Sequence, residues 1–183
     1  VENIHREGAI FRLETPVATY HARRVVLAMG RRGTPRRLGV HGEELGKVFY
    51  DIVEMEAFAG KRMLIVGGGD SAVESAMGLV NQHDTEVVLS YRGESLSRMK
   101  ERNREKIEKA IAAGRVKTLF GSQVREIRPE VVVLEHEGNT TILPNDYTVI
   151  RIGGDAPYAF LERLGVRIVQ KDLPMPTGQA RAG

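Results

Sequence analysis

The chain has no cysteine. Disulfides, thiolate metal ligands and any dithiol redox centre are therefore excluded within these residues, and the absence agrees with a reducing compartment. Long apolar runs are missing as well. None approaches the ~20 residues that a membrane-spanning helix needs, and the opening "VENIHREG" lacks the layout of a signal peptide. Charge of one sign is scarce too: lysine and arginine number 27 against 24 aspartates and glutamates, whereas a dedicated nucleic-acid binder shows a larger, segregated excess. The histidines at 5, 21, 41, 83 and 136 have no metal-ligand spacing. No internal repeat or low-complexity tract is present.

What is there fits one ordinary domain, or one domain with partial neighbours, in 183 residues. "AIFRLETP" and "ATYHARRVVLAMG" read as a hairpin feeding a buried strand, Val25 to Met29. "GRRGTPRRLGVHGEELGK" reads as a loop or linker. The centre then alternates: strand "KRMLIVG", helix "DSAVESAMGLVNQH", strand "TEVVLSYR", amphipathic helix "RMKERNREKIEKAIAAG" stopped at Gly114, strand "RVKTLFG". Such alternation with short links predicts an α/β, Rossmann-like parallel sheet. "SQVREIRP", "EVVVLEHEG" and "NTTILP" predict an inserted three-stranded antiparallel meander, with turns at Pro129-Glu130 and Gly138-Asn139. "DYTVIRIGG" looks like a strand returning to the parallel sheet, and "APYAFLERLGV" like a short helix before a tail without periodicity.

The stretch "IVGGGDSAVESA" carries the chemistry. Gly67-x-Gly69-x-x-Ala72 follows a predicted strand and opens a predicted helix, the placement a dinucleotide site requires. Gly67 permits a tight turn, Gly69 leaves the backbone open to a pyrophosphate, and Ala72 lets the helix lie against the strand. Gly68, Asp70 and Ser71 complete the turn, whose first helical amides favour an anion. Ser71 is not part of a Gly-x-Ser-x-Gly elbow and caps the helix or touches phosphate. The bland alternative is a glycine-rich connection with no ligand. An NAD site places an acid about 20 residues on. Here Glu86 stands at the wrong end of the strand and Glu94 in the following loop, while Tyr91, Arg92 and Arg98 gather at its C-terminal end. A guanidinium there suits the 2′-phosphate of NADP(H), against the alternative of ordinary solvated charges. Arg31, Arg32, Arg36 and Arg37 lie in a loop without interleaved aromatics, so a solvated or domain-facing loop is expected rather than a nucleic-acid contact.

With these residues in place, the chain resembles the nucleotide-binding part of thioredoxin-reductase-like flavoproteins, the pyridine nucleotide-disulfide oxidoreductases. "VGGGDSAVESA", the basic cluster and the meander carry the likeness, with "VVLAMGRRGTPRRLGVHGEE" before and "VIRIGGDAPYAFLERLGV" after looking like crossings to and from an FAD domain. The family's Cys-x-x-Cys is replaced by "VFYDIVEMEAFAGKR", so thioredoxin reduction is not expected. "SYRGESLSRMKERNRE" is closer to the cysteine-free, bacillithiol-disulfide-reductase-like variant.

The resemblance implies NADP(H) as bound cofactor and FAD in the complete protein, with hydride passing from nicotinamide to flavin. It implies that Gly153 and Gly154 pass near the nicotinamide and that Ala28, Met29 and Gly30 line the FAD side. No residue is required as acid or base, and no metal ligand is expected. Residues 1–50 would end one FAD half-domain, 51–150 would bind NADP(H), and 151–183 would cross back. The Val1 start and the missing FAD fingerprint suggest a piece of a longer cytoplasmic protein, its partners being the missing FAD segments. A homodimer is one option the sequence leaves open. The alternative is an isolated or decayed NADP(H)-binding module without catalysis.

Overall fold

The computed structural model describes residues 1–28, 34–96, 99–155 and 158–169. These fall into two compact units, one holding the described residues up to 28 and from 158 onward, the other residues 34–155.

The first unit is a three-stranded antiparallel sheet, β1 (Asn3–Glu7), β2 (Ile10–Glu14) and β3 (Thr19–Ala22) in that order, with a short helix at Tyr158–Arg163. The expected hairpin is β2–β3, and β1 is an added strand. The buried strand expected at Val25–Met29 does not form. Residues 24–28 have no regular structure, Val26 is 87% exposed, and Met29 lies outside the described residues. An apolar run becomes a strand only where a neighbour takes up its backbone hydrogen bonds, and no described strand pairs with this one.

The second unit runs β4 (Thr34–Pro35), β5 (Val48–Phe49), a 3₁₀ turn (Met55–Phe58), β6 (Arg62–Val66), α1 (Asp70–Leu79), β7 (Glu86–Tyr91) and α2 (Glu101–Ala112). It continues with β8 (Val116–Phe120), β9 (Gln123–Ile127), β10 (Val131–His136), β11 (Asn139–Pro144), β12 (Tyr147–Ile150) and β13 (Gly154–Asp155). A five-stranded sheet, parallel throughout, has the order β5-β12-β6-β7-β8. The α/β Rossmann-like fold read from the sequence is thus present, and so is the meander, order β11-β10-β9.

The unbroken apolar run of β6 follows from its two covered faces. Met63 and Ile65 pack with Val73, Ala76, Leu79 and Ile107 of the helices. Leu64 and Val66 point the other way, into a second core with Val124, Ile127, Val132 and Leu134 of the meander. The meander therefore takes the place of a helical layer. Of the helices, α2 ends as expected: Gly114 at φ +69 donates to the Ile111 carbonyl and Arg115 to that of Ala110, closing a Schellman cap. The β10–β11 turn differs by one position. Its central residues are Glu137 and Gly138, both at positive φ, so that His136 pairs with Asn139. A two-residue turn matched to strand twist wants that geometry.

The segment leading to β5 is held by a buried carboxylate. Glu43 accepts the amides of Leu38 (2.8 Å) and Gly39 (2.7 Å) and the Tyr50 hydroxyl (2.6 Å). Burial pushes the Glu43 pKa up, but the Tyr50 and amide bonds together bring it below its ordinary value. The Tyr50 hydroxyl rises to about 12 through its own burial and its bond to Glu43.

Asp146, just before β12, accepts the Arg62 amide at 2.7 Å and the Arg62 guanidinium at 2.6 and 3.1 Å. The Arg62 side chain, then its amide, pull the carboxyl from 3.8 down to about 2. A depressed folded-state pKa gives stability that is complete above the unfolded value and lost as pH falls through the folded one. Asp146→Asn should lower the urea midpoint at neutral pH and flatten its decline between about pH 4 and about pH 2. An unchanged acid profile would show that this pair contributes nothing to the fold.

Candidate functional site

Strand order locates the site. From β6 the chain moves outward on one side to β7 and β8, whereas β12 lies on the other side of β6. The C-terminal ends of β6 and β12 therefore flank the point where the winding reverses, the position at which open α/β sheets bind ligands. Gly67 leaves β6 there and Arg151 leaves β12.

Gly67 is fixed by sterics. Its φ is +144, and a Cβ would come within 2.3 Å of the Arg151 carbonyl oxygen and 3.2 Å of the Ala72 Cβ. Ala72, wholly buried, is the small residue that lets α1 start so close to the strand. Gly68 is closed in as well, since a Cβ would meet the Tyr91 ring at 2.4 Å. Gly69 differs: nothing lies within 4 Å of where its Cβ would be. It is the N-cap of α1, in extended conformation, and its carbonyl accepts the amides of Ala72 (3.0 Å) and Val73 (3.1 Å). The amides of Asp70 and Ser71 donate to no protein group among the described residues. Two N–H donors at the positive end of a helix thus stand beside open space, an arrangement that binds anions. Because Gly69 holds the cap position, Ser71 caps nothing, and its exposed side chain bonds to no described residue.

Arg92 directly follows β7 at the same C-terminal edge. It is exposed and has no hydrogen bond or ion pair to any described residue. Arg98 lies outside the described residues. The Asp70 carboxylate is already engaged, accepting the Lys100 amide (3.0 Å) and Asn103 Nδ2 (2.7 Å). Those bonds, Lys100 first, lower its pKa. Gly153 and Gly154 follow β12: Gly154 pairs with Pro35 in the β4–β13 ribbon, and the Gly153 carbonyl accepts the Arg36 amide (3.1 Å).

Sequence reasoning missed Arg151. Its guanidinium donates to Ser75 Oγ (3.1 Å), to the Tyr50 carbonyl (2.9 Å) and to Asp51. The side chain, 16% exposed, so ties α1, the exit of β5 and the exit of β12 together at the site. A lone arginine after an apolar strand gives no local signal of such a clamp. A cavity of ≈ 300 Å³ lies elsewhere, lined by Val80, Thr85, Glu86, Gly114 and Lys117 at the N-terminal ends of β7 and β8. It lies at the opposite edge of the sheet from the Gly67–Gly69 turn and the start of α1, so it is not the site described above. Among the described residues no cluster of His, Asp or Glu could hold a metal, and no helix is long and apolar enough to cross a membrane.

An open parallel sheet with a glycine turn at its switch point is the arrangement that dinucleotide-binding α/β proteins use. The pattern of the pyridine nucleotide-disulphide oxidoreductases matches residues 1–180, and the chain belongs to that family. It is 33% identical over 161 residues to a ferredoxin–NADP reductase of Ignicoccus hospitalis, covering 84% of this chain and 51% of that protein. It is 31% identical over 160 residues to the bacilliredoxin reductase Bdr of Bacillus subtilis, covering 86% and 49%. Among solved structures, the bacillithiol disulfide reductase Bdr of Staphylococcus aureus superimposes with a TM-score of 0.80 at 26% identity, covering 93% of this chain and 53% of that one. The Lactococcus lactis thioredoxin reductase gives 0.76 at 25%, covering 90% and 55%. The chain spans about half the length of these curated relatives.

Gly67 and Gly69 should separate by experiment. Gly67→Ala is expected to destabilise the fold by about 2–4 kcal/mol, through backbone strain and the clash with Arg151. Gly69→Ala should leave the melting temperature nearly unchanged and weaken dinucleotide binding. Equal thermal losses in the two variants would show that Gly69 is a structural glycine.

Proposed function

We propose that this chain is the NADP(H)-binding portion of a flavin-dependent oxidoreductase in which hydride passes from NADPH to FAD. One observation carries the reading: the unengaged Asp70 and Ser71 amides open α1 beside Gly69, at the switch point of the sheet. The donor set fits a dinucleotide, since it offers backbone donors for a diphosphate and, at the end of the next strand, a guanidinium without a partner among the described residues for a phosphorylated ribose.

In this reading the bound nicotinamide supplies the hydride and FAD, held largely by other parts of the protein, accepts it. The chain's own residues bind and orient. Gly67 and Gly68 let the backbone turn tightly under Tyr91, while Gly69 keeps the approach clear. The Asp70 and Ser71 amides and the Ser71 hydroxyl hold the diphosphate, and Ala72 sets α1 against the strand. Arg92, joined by Arg98, pairs with the 2′-phosphate. Gly153 and Gly154 leave room beside the nicotinamide, and the stretch Ala28, Met29 and Gly30 is assigned to the FAD side. The unit of residues 34–155 is the nucleotide portion in this reading, wider at both ends than the expected 51–150, and the rest of the chain belongs with the FAD domain. This chemistry needs no side chain of the chain as acid or base. The ferredoxin–NADP and bacilliredoxin reductases among its relatives support this assignment, and the cytoplasm is its expected setting.

A module that binds NADP(H) and catalyses nothing is the second reading. Flavin absorbance in the purified protein separates the two. Arg92→Ala should weaken NADPH binding about tenfold or more while changing NADH binding less than about twofold, measured by calorimetric titration. Equal losses for both coenzymes would remove the assignment to NADP(H).

A further inference from the structure

The loop from Arg92 to α2 is tied at both ends. At its start the Ser122 amide donates to the Tyr91 carbonyl (3.1 Å) and the Gly121 amide to that of Gly93 (3.1 Å). In its middle Leu96 is buried in the core shared with α1 and α2. At its end stands Lys100, the N-cap of α2, which has no side-chain cap of its own. That end is secured from another helix. A single oxygen of Asp70, Oδ1, accepts both the Lys100 amide and the Asn103 side-chain amide. Asp70 is also the first residue of α1, so one carboxylate joins the helix end that meets the diphosphate to the end of the loop that carries Arg92.

We propose that the Asp70 side chain is a positioning group for coenzyme choice: its carboxylate makes no contact with the dinucleotide and instead holds the Arg92 loop where the Arg92 guanidinium can meet a 2′-phosphate. The inference rests on the NADP(H) reading above and revises the place of Asp70 among the cofactor-binding residues. A carboxylate in the first turn would repel a diphosphate if it faced one. Here it is turned to two donors and kept ionised by them. Freeing one end of the loop adds conformational entropy that ligand binding must remove. That cost falls on the coenzyme that uses Arg92 and spares the one that does not.

The test is calorimetric titration of the purified protein with NADPH and with NADH, in wild type, Asp70→Ala, Asp70→Asn, Asn103→Leu and Arg92→Ala. Asp70→Ala should lower NADPH affinity roughly tenfold, as loss of a charged hydrogen bond does. NADH affinity should stay level or rise slightly, because a negative charge has left the helix end. Asp70→Asn keeps an acceptor oxygen and should restore most of the preference. Asn103→Leu removes one donor to Asp70, together with the Asn103 bond to Glu74 (3.2 Å), while leaving the carboxylate in place; it should shift the ratio the same way and serves if Asp70→Ala does not fold. In an Arg92→Ala background, Asp70→Ala should change the ratio no further. A wild type that prefers NADPH, with Asp70→Ala or Asn103→Leu keeping that preference or weakening both coenzymes equally, overturns the role of Asp70 alone. A wild type that binds neither coenzyme, or both alike, overturns the NADP(H) reading and this inference with it.

Discussion

The contact between Gly67 and Arg151 is the constraint on which the rest of the central unit depends. The Arg151 amide donates to the Val66 carbonyl at 2.7 Å, so β12 runs beside β6 to its very end. The Arg151 carbonyl then occupies the space a side chain at residue 67 would need. With no Cβ there the chain can leave β6 at φ +144 and enter α1 within three residues. The free amides of that helix consequently stand at the switch point of the sheet. Any residue other than glycine would push the two strand ends apart and move the helix start with them.

The Arg151 side chain makes the same junction rigid. Its donors go to Ser75 and to the adjacent Tyr50 and Asp51, two segments far from it in the chain. A mostly buried guanidinium is tolerated when its donors are met, and here they are met by the elements whose ends frame the site. The layers on either side serve the same end. Helices cover one face of the sheet and the meander the other, so the glycine turn and the start of α1 stand at its C-terminal edge rather than under a layer.

The sequence made the parallel core legible because it is written locally. "MLIV" and "VVLS" are apolar runs between turn residues, and Ile107 with Ala110 marks the inner face of α2. The meander could be read from its turn residues, to within one position at Glu137-Gly138. The glycine turn could be read because each of its residues has a separate steric duty. Features set by distant partners were not legible. Strand β5 is two residues long and exists only through its pairing with β12. The β4–β13 ribbon joins residues more than a hundred positions apart. The clamp of Arg151 and the latch of Asp70 are long-range bonds of polar side chains that look solvated in a local window. The opposite error occurred at Val25–Met29, where local hydrophobicity suggested a strand that no described neighbour supports.

The central claim is that the open amides of α1 are where the dinucleotide's phosphates bind, and amide-resolved NMR during an NADPH titration tests it most directly. The account predicts saturable shifts centred on the backbone amides of Gly69, Asp70 and Ser71, together with the Arg92 side chain. Shifts centred instead on Thr85, Glu86 and Lys117 around the cavity at the opposite edge of the sheet, or no saturable shift at all in the folded protein, would contradict it.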